Sequence, residues 1–177
     1  MGITRLMKLL YLCEAYHRLL RGRAFGAGQF VRYQYGPFCA EVYPALRELE
    51  EAGVITTRTV PRIPDGRLVE VTPARGAQAT RMSAEREGTV ERVLRGWGSA
   101  TRGELIDFVY RTKPFLETEF GEAIDLRGLP YLGPDAGPRQ CVKALTNTTR
   151  APARGLPRKT DELVEEYSWL IDDLAQL

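Results

Sequence analysis

The sequence predicts a mostly α fold with a small β-wing: a winged-helix-like helical domain, then an extended linker, then a C-terminal helix. Three observations carry this. Between Tyr35 and Thr72, apolar residues Phe38, Val42, Leu46 and Leu49 recur every three or four positions and so share a helical face, which Gly53 closes as a left-handed stop. Two runs rich in β-branched residues follow, Val54 to Val60 and Arg67 to Thr72, around Pro64-Asp65-Gly66, so the order is helix, strand, turn, strand. From Leu129 to Lys159, Pro130, Pro134, Pro138, Pro152 and Pro157 alternate with Gly133, Gly137 and Gly155 without clear periodicity. The organisation expected is a domain over 1–128, a basic arm over 129–159 and an amphipathic helix over 160–177.

The elements follow in order. Ile3, Leu6, Leu10, Cys13, His17 and Leu20 keep helical spacing, and Met7, Leu9, Tyr16 and Leu19 broaden the stripe into a core helix over about Thr4 to Leu20. Gly22, Gly26 and Gly28 break it, and Gln29 to Tyr35 reads as a short strand leading into Tyr-Gly-Pro. Pro37 suits a first helical turn. Pro44 cannot sit inside a continuous helix without costing about 3 kcal/mol, so a short helix should end near Val42 and another begin there, forming a helix-turn-helix. Pro73 to Met82 is a short helix or turn. Ser83 caps a helix over Ala84 to Trp97 that buries Val90, Val93, Leu94 and Trp97. Thr101 and Glu104 form a capping box for a helix to Arg111 that turns Leu105, Phe108 and Val109 inward. Lys113-Pro114-Phe115 is a turn. Thr160 caps the last helix, whose stripe of Leu163, Tyr167, Leu170, Ile171, Leu174 and Leu177 needs cover, either from its own domain or, the reading preferred here, from a second chain in a homodimer.

Composition narrows the class. The 177 residues suit one core with an appendage, and no apolar run approaches the roughly 20 residues that cross a bilayer, so a cytoplasmic protein without membrane contact is expected. Cys13, Cys39 and Cys141 are widely spaced, with no CxxC pair, and read as buried free thiols. The net charge of +2 is unevenly spread: +5 over 1–36, −3 over 37–53, +3 over 54–82, −2 over 83–128, +5 over 129–160 and −6 over 161–177.

Catalytic chemistry is poorly served. A lone histidine cannot form a two-histidine metal site, no serine sits in a nucleophile elbow, and Gly22 to Gly28 lacks the Lys-Ser or Lys-Thr ending of a phosphate loop. Cys13 and His17 share a helix face at i, i+4 and could form a thiolate pair, but core packing explains them better. No catalytic residue, metal or cofactor is therefore expected. Duplex DNA is a candidate partner: Arg58, Arg62 and Arg67 on the wing, with Arg47 on the preceding helix, could meet phosphates. Against this, the helix lacks the Arg, Asn or Gln pairs that read base edges, and carries Glu41, Glu48, Glu50 and Glu51. A protein partner is the better reading, with Tyr35, Gly36, Pro37 and Phe38 as its contact residues or as a turn that sets the helix entry angle.

Specific residues add a resemblance. Lys8-Leu9-Leu10-Tyr11-Leu12, Tyr35-Gly36-Pro37-Phe38, Glu41-Val42-Tyr43, Leu49-Glu50 through Gly53-Val54-Ile55, and Glu104-Leu105-Ile106-Asp107-Phe108-Val109-Tyr110 together resemble the Panacea domain family over about residues 3–126. Members are known chiefly as antitoxins of toxin-antitoxin pairs, or as phage-associated proteins, so the resemblance implies a non-catalytic protein that holds and neutralises a protein partner such as a toxin. A second likeness covers residues 41–76: Tyr43-Pro44-Ala45-Leu46 with Leu49-Glu50-Glu51 and Gly53 is similar to the recognition segment of PadR-type regulators, and Asp65-Gly66-Arg67 with Thr72 and Gly76 to a MarR or PadR wing. It implies a DNA-binding transcriptional regulator instead.

Overall fold

The computed structural model describes residues 1–62, 66–77 and 81–146. The chain folds around its first helix, α1 (Ile3–Arg21), which is buried on nearly every side through Met7, Leu9, Tyr11, Leu12, Ala15, Tyr16, Leu19 and Leu20. A helix buried on nearly every side must be wrapped by other elements. Here α3 (Ala84–Trp97), α4 (Arg102–Tyr110), α6 (Pro138–Thr146) and both hairpins pack against it. Its buried polar groups are partnered: the Tyr11 hydroxyl lies 2.9 Å from that of Thr112, and His17 Nδ1 lies 2.8 Å from the Thr89 hydroxyl. The Glu14 carboxylate accepts the backbone N–H groups of Phe25, Gly26 and Ala27, so it folds the glycine-rich loop back onto the helix that precedes it.

The fold is mostly helical, with two small antiparallel sheets. In the first, β1 (Val31–Tyr33) pairs with β2 (Gly36–Phe38). In the second, β3 (Ile55–Arg62) pairs with β4 (Gly66–Pro73), in the order and position expected of the wing; the tip at 63–65 lies outside the described residues. The N-terminal residues extend this sheet, since Gly2 bridges Glu70 and the Val71 N–H donates to the Met1 carbonyl.

Between the sheets the structure corrects the expected helix-turn-helix. No short helix lies between β1 and α2 (Val42–Glu51): Phe38 belongs to a strand, and a turn at Ala40 and Glu41 starts α2 instead. The expectation that Pro44 forbids a continuous helix from Phe38 to Glu51 holds, because Pro44 falls in the first turn of α2, where an N–H has no intrahelical acceptor. Val42 and Leu46 are buried, but Leu49 sits at the exposed edge of the stripe. Gly53 takes φ +68° past the helix end, and the N–H of Val54 reaches back to the Leu49 carbonyl.

Further along, Ala74 to Ala77 form a turn rather than a helix. Ser83 occupies the N-cap of α3, but its side chain makes no capping bond, and Leu94 points outward at 47 % exposure where a buried position was expected. The α4 box is complete: Thr101 Oγ1 accepts the Glu104 N–H at 3.2 Å, and the Glu104 carboxylate accepts the Thr101 N–H at 2.7 Å. Lys113-Pro114-Phe115 is not a bare turn but the start of α5 (Lys113–Glu117), with Pro114 in its first turn.

The stretch from Leu129, read as a linker, is also corrected. The Leu132 N–H donates to the Leu19 carbonyl, the Tyr131 ring lies over Gly22, and α6 buries Cys141 and Leu145 in the common core. Residues 147–177, with the remaining arm and the expected C-terminal helix of Leu163, Tyr167, Leu170, Ile171 and Leu174, lie outside the described residues.

Candidate functional site

The Tyr35-Gly36-Pro37-Phe38 segment forms the tip and second strand of the β1–β2 hairpin. Its four residues divide by role. Gly36 turns the chain at φ +92°, and a Cβ there would come within 2.5 Å of Tyr110 Cε1 and 3.1 Å of Lys8 Nζ, so both conformation and space require glycine. Gly36 and Pro37 are buried, whereas Phe38 is half-buried and Tyr35 is 55 % exposed at the tip.

The hairpin is held from three directions. From below, Lys8 of α1, itself buried, donates from Nζ to the Pro37 carbonyl at 3.1 Å. Burial, aided by the nearby Arg102 charge, pulls the Lys8 ammonium down to about 7. From α4, the Tyr110 hydroxyl donates to the Gln34 carbonyl at 3.3 Å, and its ring stacks on Phe115. From the other edge, residues 121–124 run along β1: the Arg32 N–H donates to the Glu122 carbonyl, the Gly121 N–H to the Arg32 carbonyl and the Ile124 N–H to the Phe30 carbonyl, all at 2.7–2.8 Å. Arg32 is drawn inward, its guanidinium over the Phe115 ring and bonded to the carbonyls of Phe115 and Thr118.

On the outer side the rings form a continuous set. Tyr33 contacts Phe38 and stacks on Phe120 at 5.5 Å, and Phe38 contacts Tyr43 of α2. Phe120 is 42 % exposed. Lys8, Tyr33, Tyr43, Tyr110 and Phe120 thus join the motif residues. Lys8 had a legible signal, as an isolated cation within an apolar helical run; Phe120, alone in a polar stretch, had none.

The residues considered for DNA are distributed differently. Arg47 on α2 and Arg58 on β3 are exposed; Arg62 and Arg67 flank the hairpin tip, and their side chains lie outside the described residues. Glu50, counted above as a possible repulsive charge, is committed to the fold: its carboxylate accepts the backbone N–H and the hydroxyl of Thr57, both at 2.8 Å, at the strand edge of β3. Cys13 and His17 do not form a thiolate pair. Burial pushes the Cys13 thiol up to about 12, while His17 is bonded to Thr89 and held below the usual histidine range, first by burial and then by Arg23. All three cysteines are free and buried, as expected. Among the described residues no His, Cys, Asp and Glu gather into a metal-binding group, and no helix is long and apolar enough to cross a membrane. A cleft of about 350 Å³ beside the glycine-rich loop is lined by Glu14, Arg18, Phe30, Asp125 and Arg127, whose charges pair as Arg18 with Glu14 and Arg127 with Asp125.

Among known families, the profile described as antitoxin SocA-like, Panacea domain, matches residues 6–114. That span runs from α1 through both hairpins into α5 and ends before Phe120. No curated protein and no solved structure matches the chain.

Proposed function

The chain belongs to the SocA-like antitoxin family with the Panacea domain, and from that membership we propose that it is a non-catalytic binding protein that holds and neutralises a protein partner, a toxin. The observation that supports this is the β1–β2 hairpin, where a tethered backbone presents Tyr35 to solvent, and where the half-exposed Phe120 of the neighbouring segment stacks on Tyr33. Large aromatic side chains lose little conformational entropy on contact and are enriched among the residues that dominate protein interfaces. Tyr35 and Phe38 are the contact residues in this reading, and Gly36 and Pro37 shape the backbone that presents them.

The test is genetic and biochemical. The product of the reading frame adjacent to this one is expressed alone and together with this chain. Growth arrest that co-expression relieves, with the two products co-purifying, is the expected result. A neighbour that is harmless alone, or whose toxicity this chain leaves unchanged without co-purification, would overturn the proposal.

A further inference from the structure

We propose that residues 161–177 of this chain dock on its own domain, along the outer face of α6 and the neighbouring Tyr131 and Leu132. This is independent of the partner-holding reading and concerns a surface outside the β1–β2 hairpin. Contacts bring that surface together. The Leu132 N–H donates to the Leu19 carbonyl at 2.7 Å and the Tyr131 ring lies over Gly22, so both residues sit at the C-terminal end of α1. Four residues after Leu132, the Ala136 carbonyl accepts a bond from Arg92 of α3 at 2.6 Å. The same guanidinium is felt inside α6: burial raises the Cys141 thiol, and the Arg92 charge offsets part of this. α6 packs on α1 and α5 and buries Cys141 and Leu145, while Arg139 and Lys143, at i, i+4, occupy its opposite, exposed side.

Two kinds of complementarity select this occupant. Tyr131 is 63 % exposed and Leu132 37 %, adjacent large apolar side chains left in water beside a basic helix face. Arg92, Arg139 and Lys143 form no ion pair among the described residues, and Asp135 is the single acidic residue between Tyr131 and Thr146. Residues 161–177 carry six acidic and no basic side chains, with Leu163, Tyr167, Leu170, Ile171, Leu174 and Leu177 at helical spacing. On that spacing Glu162 and Glu166 border the apolar stripe at i, i+4, the same interval that separates Arg139 from Lys143. Arg150, Arg154, Arg158 and Lys159 can offset four of the six acidic charges at most, and they leave the stripe to be covered. Reach favours the chain's own copy. The described residues end at Thr146, the last residue of α6, and the 14 residues 147–160 span up to about 45 Å when extended, against ~13 Å for the length of α6. A tether of that length gives the segment an effective concentration near the millimolar range, which a second copy in dilute solution does not match.

The test is hydrogen exchange, read by mass spectrometry on the full chain, with a free peptide of residues 161–177 as the reference for unprotected amides. Amides of 161–177 in the full chain should exchange at least about tenfold more slowly than in the peptide, at a rate independent of protein concentration. Arg139→Glu with Lys143→Glu should return them towards the peptide rate, and adding Glu162→Lys with Glu166→Lys should restore protection by swapping the charges. Arg58→Glu, an exposed reversal on β3, should leave protection as it is. Positions 139 and 143 are exposed, and unchanged thermal midpoints confirm that the variants fold. Peptide-like exchange in the wild type would overturn the proposal, and so would protection that survives the reversal at 139 and 143. Protection that falls on dilution together with a dimer-to-monomer shift in sedimentation would overturn it as well, because the occupant is then the segment of a second copy.

Discussion

The Lys8 ammonium donates to the Pro37 carbonyl at 3.1 Å from inside the core, so the central helix and the Tyr-Gly-Pro hairpin share a hydrogen bond in which a charged group has been taken out of water. Burial without a carboxylate partner is what lowers its affinity for a proton, and the cost falls on folding.

Stability should therefore rise with pH just above neutrality. The folded value for Lys8, about 7, lies below its ordinary 10.5, so above about pH 7 the unfolded chain binds a proton that the folded chain does not. The cost is fully present below pH 7 and is relieved as pH increases. Cys13 and Cys39, each pushed up to about 12 mainly by burial, act in the opposite sense once unfolded thiols ionise near pH 8.5, roughly the upper limit of the window. Urea unfolding of the wild type and Lys8→Met at several pH values checks this: the wild type should gain on the variant between pH 7 and about 8.5, and a constant difference would refute it.

Gly36→Ala should destabilise by at least about 2 kcal/mol, combining left-handed strain with a Cβ forced against Tyr110. Gly53→Ala is the matched control. Its φ is +68° but nothing lies within 4 Å of the added Cβ, so strain alone should cost about 1 kcal/mol. Chemical denaturation of the two variants separates conformation from crowding, and equal losses would contradict the Tyr110 contact.

Pro44→Ala should be nearly neutral, within about 0.5 kcal/mol, since the first turn of α2 sacrifices no hydrogen bond to proline. A loss above about 1 kcal/mol would mean that the ring supports the turn at Ala40 and Glu41 in some further way.

Glu50→Ala should cost about 1–2 kcal/mol and speed hydrogen exchange at the Thr57 amide, because the edge of β3 loses the acceptor of that N–H. Glu48→Ala, at an exposed position of the same helix, should change stability by less than about 0.5 kcal/mol. Unaltered Thr57 exchange in Glu50→Ala would show that the strand edge does not depend on this carboxylate.

The features legible in the sequence were those set by local periodicity and local hydrogen bonding. The stripe of α1, the Thr101 and Glu104 box, the Gly53 stop and the wing could each be read within about a dozen residues, and each is present. What was missed depends on distant partners. Gly36-Pro37-Phe38 has little intrinsic strand preference, and pairing with β1 and the Lys8 bond make it a strand. Residues 138–146 were hidden by flanking proline and glycine, and the two buried positions of α6, Cys141 and Leu145, gave too short a stripe to outweigh that composition. The candidate site shows the same division: Tyr35 to Phe38 stood out as a motif, but Phe120 joins Tyr33 only through the strand-like pairing of residues 121–124 with β1.

The triple tether of the β1–β2 hairpin separates what the protein must keep from what it is free to vary. Lys8, Gly36, Pro37 and Tyr110 act as framework, gripping backbone atoms whose positions do not depend on which side chain stands at the tip. Tyr35 projects beyond that framework, so it can be exchanged for residues of other shapes with little loss of stability. Under the proposed function such a scaffold would behave like a paratope on a fixed sandwich: a new specificity would be a matter of a few surface substitutions, while the core that displays them remains the same.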